Sequence, residues 1–140
     1  MAELQPIETA LDALLAEVMP LAVERVALND AAGRVLAEPV TATLDVPPFD
    51  NSAMDGYALR AVDAGKWLLV SQRVAAGDTA QPLAAGTCAR IFTGGQMPPG
   101  ADCVVMQERV VEKEGEALIP DDVPAGDNVR LQGRDVRQGD

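Results

Sequence analysis

The sequence has no histidine, and its aromatic residues are only two phenylalanines, one tyrosine and one tryptophan. The first absence removes imidazole, the usual base and metal ligand at neutral pH. The second leaves alanine, valine and leucine to fill any core. Cysteine is scarce too. Cys88 and Cys103 are not in a Cys-x-x-Cys arrangement, and they read as buried thiols in a reducing compartment, with a disulfide as the alternative. Positive charge is short: 11 Lys and Arg stand against 22 Asp and Glu, a formal net charge of −11. That balance argues against nucleic acid as a partner, because phosphate contacts need basic side chains. No apolar run is long enough to span a membrane. The N-terminus lacks the basic start and apolar stretch of a signal peptide. A cytoplasmic protein with no membrane partner is expected.

What is present is enough apolar residue, 48%, for a folded chain of one domain or two small ones. Ile7, Ala10, Leu11, Leu14, Leu15 and Val18 share one helical stripe, so a helix is predicted between Pro6 and Pro20. Strands are predicted at Val23–Leu28, Val40–Leu44, from Tyr57, over Trp67–Val74 with a buried start, at Thr87–Phe92, Cys103–Gln107 and Val129–Leu131. Asn29–Gly33 reads as a short helical turn. Lys113–Glu116 reads as the tip of a hairpin around Gly115. The expected fold class is α+β, mainly β: an N-terminal helix followed by many short strands in two β-rich lobes. Residues 1–48, completed by 127–140, would form an elongated lobe, and 49–126 a β-rich lobe carrying the Asp55 and Thr93 loops.

One stretch organises the rest. Pro47-Pro48 restricts the approach, and Asp50, Asn51 and Ser52 favour a polar turn. Asp55-Gly56 reads as a turn pair in which Gly56 can adopt a positive φ. Two carboxylates, an amide and a hydroxyl are hard oxygen donors of the kind Mg²⁺ prefers. The spacing is equally that of a turn satisfying its own backbone. It fails the EF-hand pattern, because Asp55 occupies the place that requires glycine. A second loop, Thr93-Gly94-Gly95, follows a strand as a phosphate cradle would, but it lacks the lysine of a P-loop and is followed by Pro98-Pro99.

Together the loops are more specific. The string Asp45-Val46-Pro47-Pro48-Phe49-Asp50-Asn51-Ser52-Ala53-Met54-Asp55-Gly56-Tyr57-Ala58 resembles the hallmark of the MoeA/gephyrin E-domain family, the molybdopterin molybdenumtransferases. Arg90-Ile91-Phe92-Thr93-Gly94-Gly95 through Gln107-Glu108 resembles that family's second motif. Asn128-Val129-Arg130 with Gly133-Arg134-Asp135 resembles its third, and Ala32–Ala37 fits its start. The resemblance runs along essentially the whole chain.

It implies a role in molybdenum cofactor biosynthesis: insertion of molybdate into adenylylated molybdopterin with Mg²⁺, releasing AMP. Asp55 and Thr93 then match catalytic positions, with Asp55 the tentative Mg²⁺ ligand in a site shared with another domain. Asp50, Asn51, Ser52, Gly94, Arg130 and Asp135 match substrate-binding or supporting positions. The full-length form would be a homodimer. Family members are longer, so the pterin-binding and C-terminal domains are expected to be absent here and this fragment inactive alone. The rival expectation is a non-catalytic scaffold or interaction module of gephyrin type. A Ca²⁺ module lacks the loop pattern it would need.

Overall fold

The computed structural model describes residues 5–140. The chain forms two compact units, Met1–Val40 and Thr41–Asp140. In the first, helix α1 spans Ile7–Ala16 and starts at Pro6, whose φ of −56° suits a helix entrance. The apolar stripe predicted α1, yet none of its residues is buried. A single 3-10 turn, Leu28–Asp30, follows. Val23–Leu28 is not a strand, because no second segment among the described residues supplies backbone hydrogen bonds to it. Among the described residues, every strand lies in 41–140.

The second unit is built on strands β1 (Asn51–Ser52), β2 (Gly56–Leu59), β3 (Trp67–Val74), β4 (Thr87–Ile91), β5 (Cys103–Met106), β6 (Val111–Lys113), β7 (Glu116–Leu118) and β8 (Val129–Arg130). Six of them form one sheet in the order β5-β2-β4-β3-β7-β6. Only the β3–β4 pair is parallel, and its register shifts between Val70 and Gln72. The predicted hairpin is present: β6 and β7 pair across Glu114-Gly115, both at positive φ (52° and 83°), as a two-residue hairpin turn requires.

The β5-β2-β4 part of this sheet is covered on both faces. Tyr57, Leu59, Cys88, Cys103, Val105 and Ile119 share one apolar cluster. Ala58, Ala89, Ile91, Val104, Val74 and Met97 share the other. Neighbours in sequence therefore alternate between two cores, which is why β2 and β5 read as unbroken apolar runs. β3 departs from its predicted buried start. Trp67 and Leu69 are 44% and 54% exposed while Leu68 is buried, so it alternates from its first residue, with one side in solvent.

Two further differences bear on the site. Asn51–Ser52, expected in a turn, is the buried strand β1, paired antiparallel with β8. Val40–Leu44 is not a strand and is tied only at points. Ala42 donates its N–H to the Asp140 carbonyl (2.8 Å) and accepts from Gly139 N–H (2.9 Å), and Val46 bridges Val136. Residues 129–140 thus lie along 42–52 inside the second unit, whereas the sequence set its boundary at 48/49.

Candidate functional site

The site starts as a backbone zipper between the first two motifs. Gly94 N–H donates to the Ser52 carbonyl (2.8 Å), Ser52 N–H to the Gly95 carbonyl (3.0 Å), and Met97 N–H to the Asp50 carbonyl (2.9 Å). Two glycines permit this closeness. Gly94 sits at φ +80°, a conformation that strains a side chain. A Cβ on Gly95 would meet the Phe92 and Val74 carbonyl oxygens at 2.9 and 3.0 Å. The Ser52 hydroxyl closes the bend below, donating to the Met54 carbonyl (2.5 Å) and accepting from Met54 N–H (3.3 Å).

Asp55 crowns the zipper. Its Oδ1 accepts two bonds from Thr93, one from the backbone N–H (2.8 Å) and one from the hydroxyl (2.7 Å). Asp55 is half-buried, so its carboxylate meets solvent and is not sealed in apolar packing. The Thr93 N–H lowers its pKa most, the Thr93 hydroxyl adds to that, and the Arg90 charge contributes less. A carboxylate held ionised in this way is a poor proton acceptor at neutral pH. Its chemistry is that of an anchor or a cation ligand.

Gly56 has a different reason from the one its sequence suggested. It is not at positive φ. It lies in β2, where an added Cβ would stand 2.0 Å from the Val105 carbonyl oxygen of β5. Close approach of two backbones, and not a turn, requires glycine there.

The third motif is drawn in by acidic side chains. Asp50 Oδ1 accepts from Gln132 N–H (2.7 Å). Gly133 N–H donates to the Pro47 carbonyl (2.9 Å) and Asp135 N–H to the Val46 carbonyl (2.9 Å). The result is an open cavity of about 250 Å³ where Asn51, Gly94, Arg130, Arg134 and Asp135 meet beside Phe49. Four expected site residues therefore gather there, whereas Asp55, Thr93, Asp50 and Ser52 do not line it. Asp50 lines a neighbouring hollow of about 340 Å³ with Gln96, Met97 and Gln132.

Sequence reasoning did not single out Arg134 or Arg90. Arg134 lies inside the third motif, between Gly133 and Asp135. Arg90 donates to the Gly56 and Ile91 carbonyls, both at 2.8 Å, and to the Gln107 side chain. It so ties the root of the Asp55 turn to β4. The only sequence signal for Arg90 was its place at the head of the second motif.

A family model described as MoeA N-terminal region (domain I and II) matches residues 5–140. The chain belongs to the MoeA N-terminal-region family. It is 42% identical over 141 aligned residues to a molybdopterin molybdenumtransferase of Synechococcus elongatus, covering 93% of this chain and 35% of that protein. It is 37% identical to one of Haemophilus influenzae, covering 86% and 31% respectively. A crystal structure of the molybdopterin biosynthesis MoeA protein from Pyrococcus horikoshii superposes with a TM-score of 0.83 at 37% identity, over 99% of this chain and 39% of that one. The chain spans about a third of the length of the curated relatives it matches. The mainly β fold with an N-terminal helix is the one this family has.

The expected Mg²⁺ can be tested against the donors. Among the described residues no group of three or more Cys, Asp or Glu side chains could hold a metal ion. Asp55 Oδ1 is taken by Thr93, and Oδ2 is the one oxygen of that carboxylate without a hydrogen bond. Mg²⁺ takes one or two carboxylates and fills the rest of its octahedral shell with water and substrate oxygens, so Asp55 Oδ2 would supply one ligand. The other ligands would come from outside the described residues.

Proposed function

We propose that this chain is the N-terminal part of a molybdopterin molybdenumtransferase, an enzyme that inserts molybdate into adenylylated molybdopterin and releases AMP. The observation that carries the reading is the Asp55–Thr93 couple. Two residues 38 apart in sequence, each in its own motif, meet with two hydrogen bonds on one carboxylate oxygen. In this reading Thr93 fixes Asp55 in its ionised form, so that Oδ2 faces an incoming group. The cavity of Arg130, Arg134 and Asp135 offers cations and a carboxylate to the same substrate. Mg²⁺ belongs to the proposal as a requirement of the whole protein, with other ligands coming from outside this chain. So do homodimer formation, a cytoplasmic setting and the inactivity of residues 1–140 alone.

Asp55→Ala in the full-length protein tests it. The expected outcome is loss of molybdenum insertion, measured as AMP released per enzyme, with an unchanged circular dichroism spectrum. Insertion at the wild-type rate would remove Asp55 from the chemistry. One observation favours a second reading, a structural module: the Asp50 carboxylate is engaged by Gln132 N–H and one Asp55 oxygen by Thr93. Normal insertion by the Asp55→Ala protein is the result that reading expects.

A further inference from the structure

Phe92 carries two cations. The guanidinium carbon of Arg73 stands 4.5 Å from its ring centroid and that of Arg90 4.4 Å. Arg90 also lies 5.3 Å from the Tyr57 ring. Arg73 and Arg90 are register partners on the parallel strands β3 and β4, so like charges are held abreast, an arrangement sheets ordinarily avoid. The aromatic ring attracts both cations but carries no net charge to cancel them.

Neither arginine makes a direct ion pair with a described residue, although the Arg90 charge reaches the Asp55 carboxylate. The ion pairs among the described residues engage Arg34, Arg60, Lys66, Arg109 and Lys113, leaving out both of these arginines. Glu112 accepts the Tyr57 hydroxyl at 2.5 Å. In a chain of net charge −11, carboxylates are the plentiful partner, so two adjacent arginines without a direct ion pair are conspicuous. The donors are available as well. Arg73 makes no side-chain hydrogen bond to a described residue, and Arg90 commits Nη1 and part of Nη2 while its Nε–H makes none. Phe92 precedes Thr93, so this pair adjoins the Asp55–Thr93 couple.

We propose that Arg73 and Arg90, braced on Phe92, form a docking point for a phosphate-class polyanion beside Asp55. The choice of ligand rests on the transferase reading, whose substrate carries a phosphoanhydride. The forked guanidinium matches phosphate oxygens, and two of them supply the charge that a dianion lacks elsewhere on this acidic surface.

The test is a pyrophosphate titration of the ¹⁵N-labelled chain at low ionic strength, following arginine Nε–Hε signals. The Arg73 and Arg90 signals should move together on one saturation curve. Arg73→Gln should weaken the apparent Kd about tenfold, the loss of one charge-assisted contact. Arg73→Lys, which keeps the charge and loses the fork, should fall between. Arg25→Gln, which removes one exposed charge in the other unit, should leave the Kd within about twofold. An Arg73 signal that stays still, or an Arg25→Gln effect equal to that of Arg73→Gln, overturns the docking pair. Failures are separable: the Asp55→Ala insertion assay judges the transferase roles, and the Arg73 titration judges the docking pair.

Discussion

At the scale of single residues, burial decides which side chains are chemically silent. Cys88 and Cys103 are free thiols with no exposed surface, and burial pushes both pKa values up to about 12. Tyr57 is raised to about 12 as well, first by burial and then by its bond to Glu112. For each group the protonated form is favoured in the fold. Their stabilisation is complete below the unfolded values near 9 and 10 and is lost as pH rises towards 12. Alkylation with iodoacetamide at pH 8 should therefore leave both thiols intact in the native chain and modify both in guanidinium chloride. Urea midpoints should fall steeply across that alkaline window. The thiols' burial was legible in the sequence, since a lone pair of cysteines within apolar strands has an ordinary role in packing. The Asp55–Thr93 contact was not legible by spacing, because 38 residues separate its partners. Only the motif resemblance placed them together.

At the scale of elements, what the sequence showed depended on whether the information was local. The β6–β7 hairpin follows from Gly115 and its flanks, and α1 from a periodic stripe. The pairing of β1 with β8 depends on residues far apart, and Asn51-Ser52 alone reads as a turn. Val23–Leu28 shows the converse error: β-branched composition without a partner gives no strand. Gly56 belongs to this scale because it sets the distance between β2 and β5. Replacing it with alanine places a methyl 2.0 Å from the Val105 carbonyl oxygen, and a backbone cannot step aside as a side chain can. Gly56→Ala should cost roughly 3 kcal/mol or more, the upper range for overpacking, read from chemical denaturation of the chain. The Asp55 turn is rooted in the same strand, so the Thr93 bonds should loosen with it.

At the scale of the whole molecule, the two units differ in kind. Residues 41–140 contain two apolar clusters and every described strand. In Met1–Val40 no described residue is buried, and Ile7, Leu14, Val18, Leu21 and Val35 are each more than 60% exposed. Burial of apolar area is the main favourable term in folding, and the first unit has little of it. Amide hydrogen exchange should be slow in β2, β4 and β5, opening only with global unfolding. Amides of α1 should exchange within seconds to minutes by local opening. Slow exchange throughout α1 of the isolated chain would contradict this division.

The hydrogen bonds that join Ala42 to Gly139 and Asp140 make the second unit enter and leave through one gate. Its ninety-odd intervening residues thus behave as a closed excursion from a single point. Such an excursion can be transplanted: spliced into a surface loop of an unrelated host, it would ask the host's backbone to part by no more than the gap between neighbouring strands.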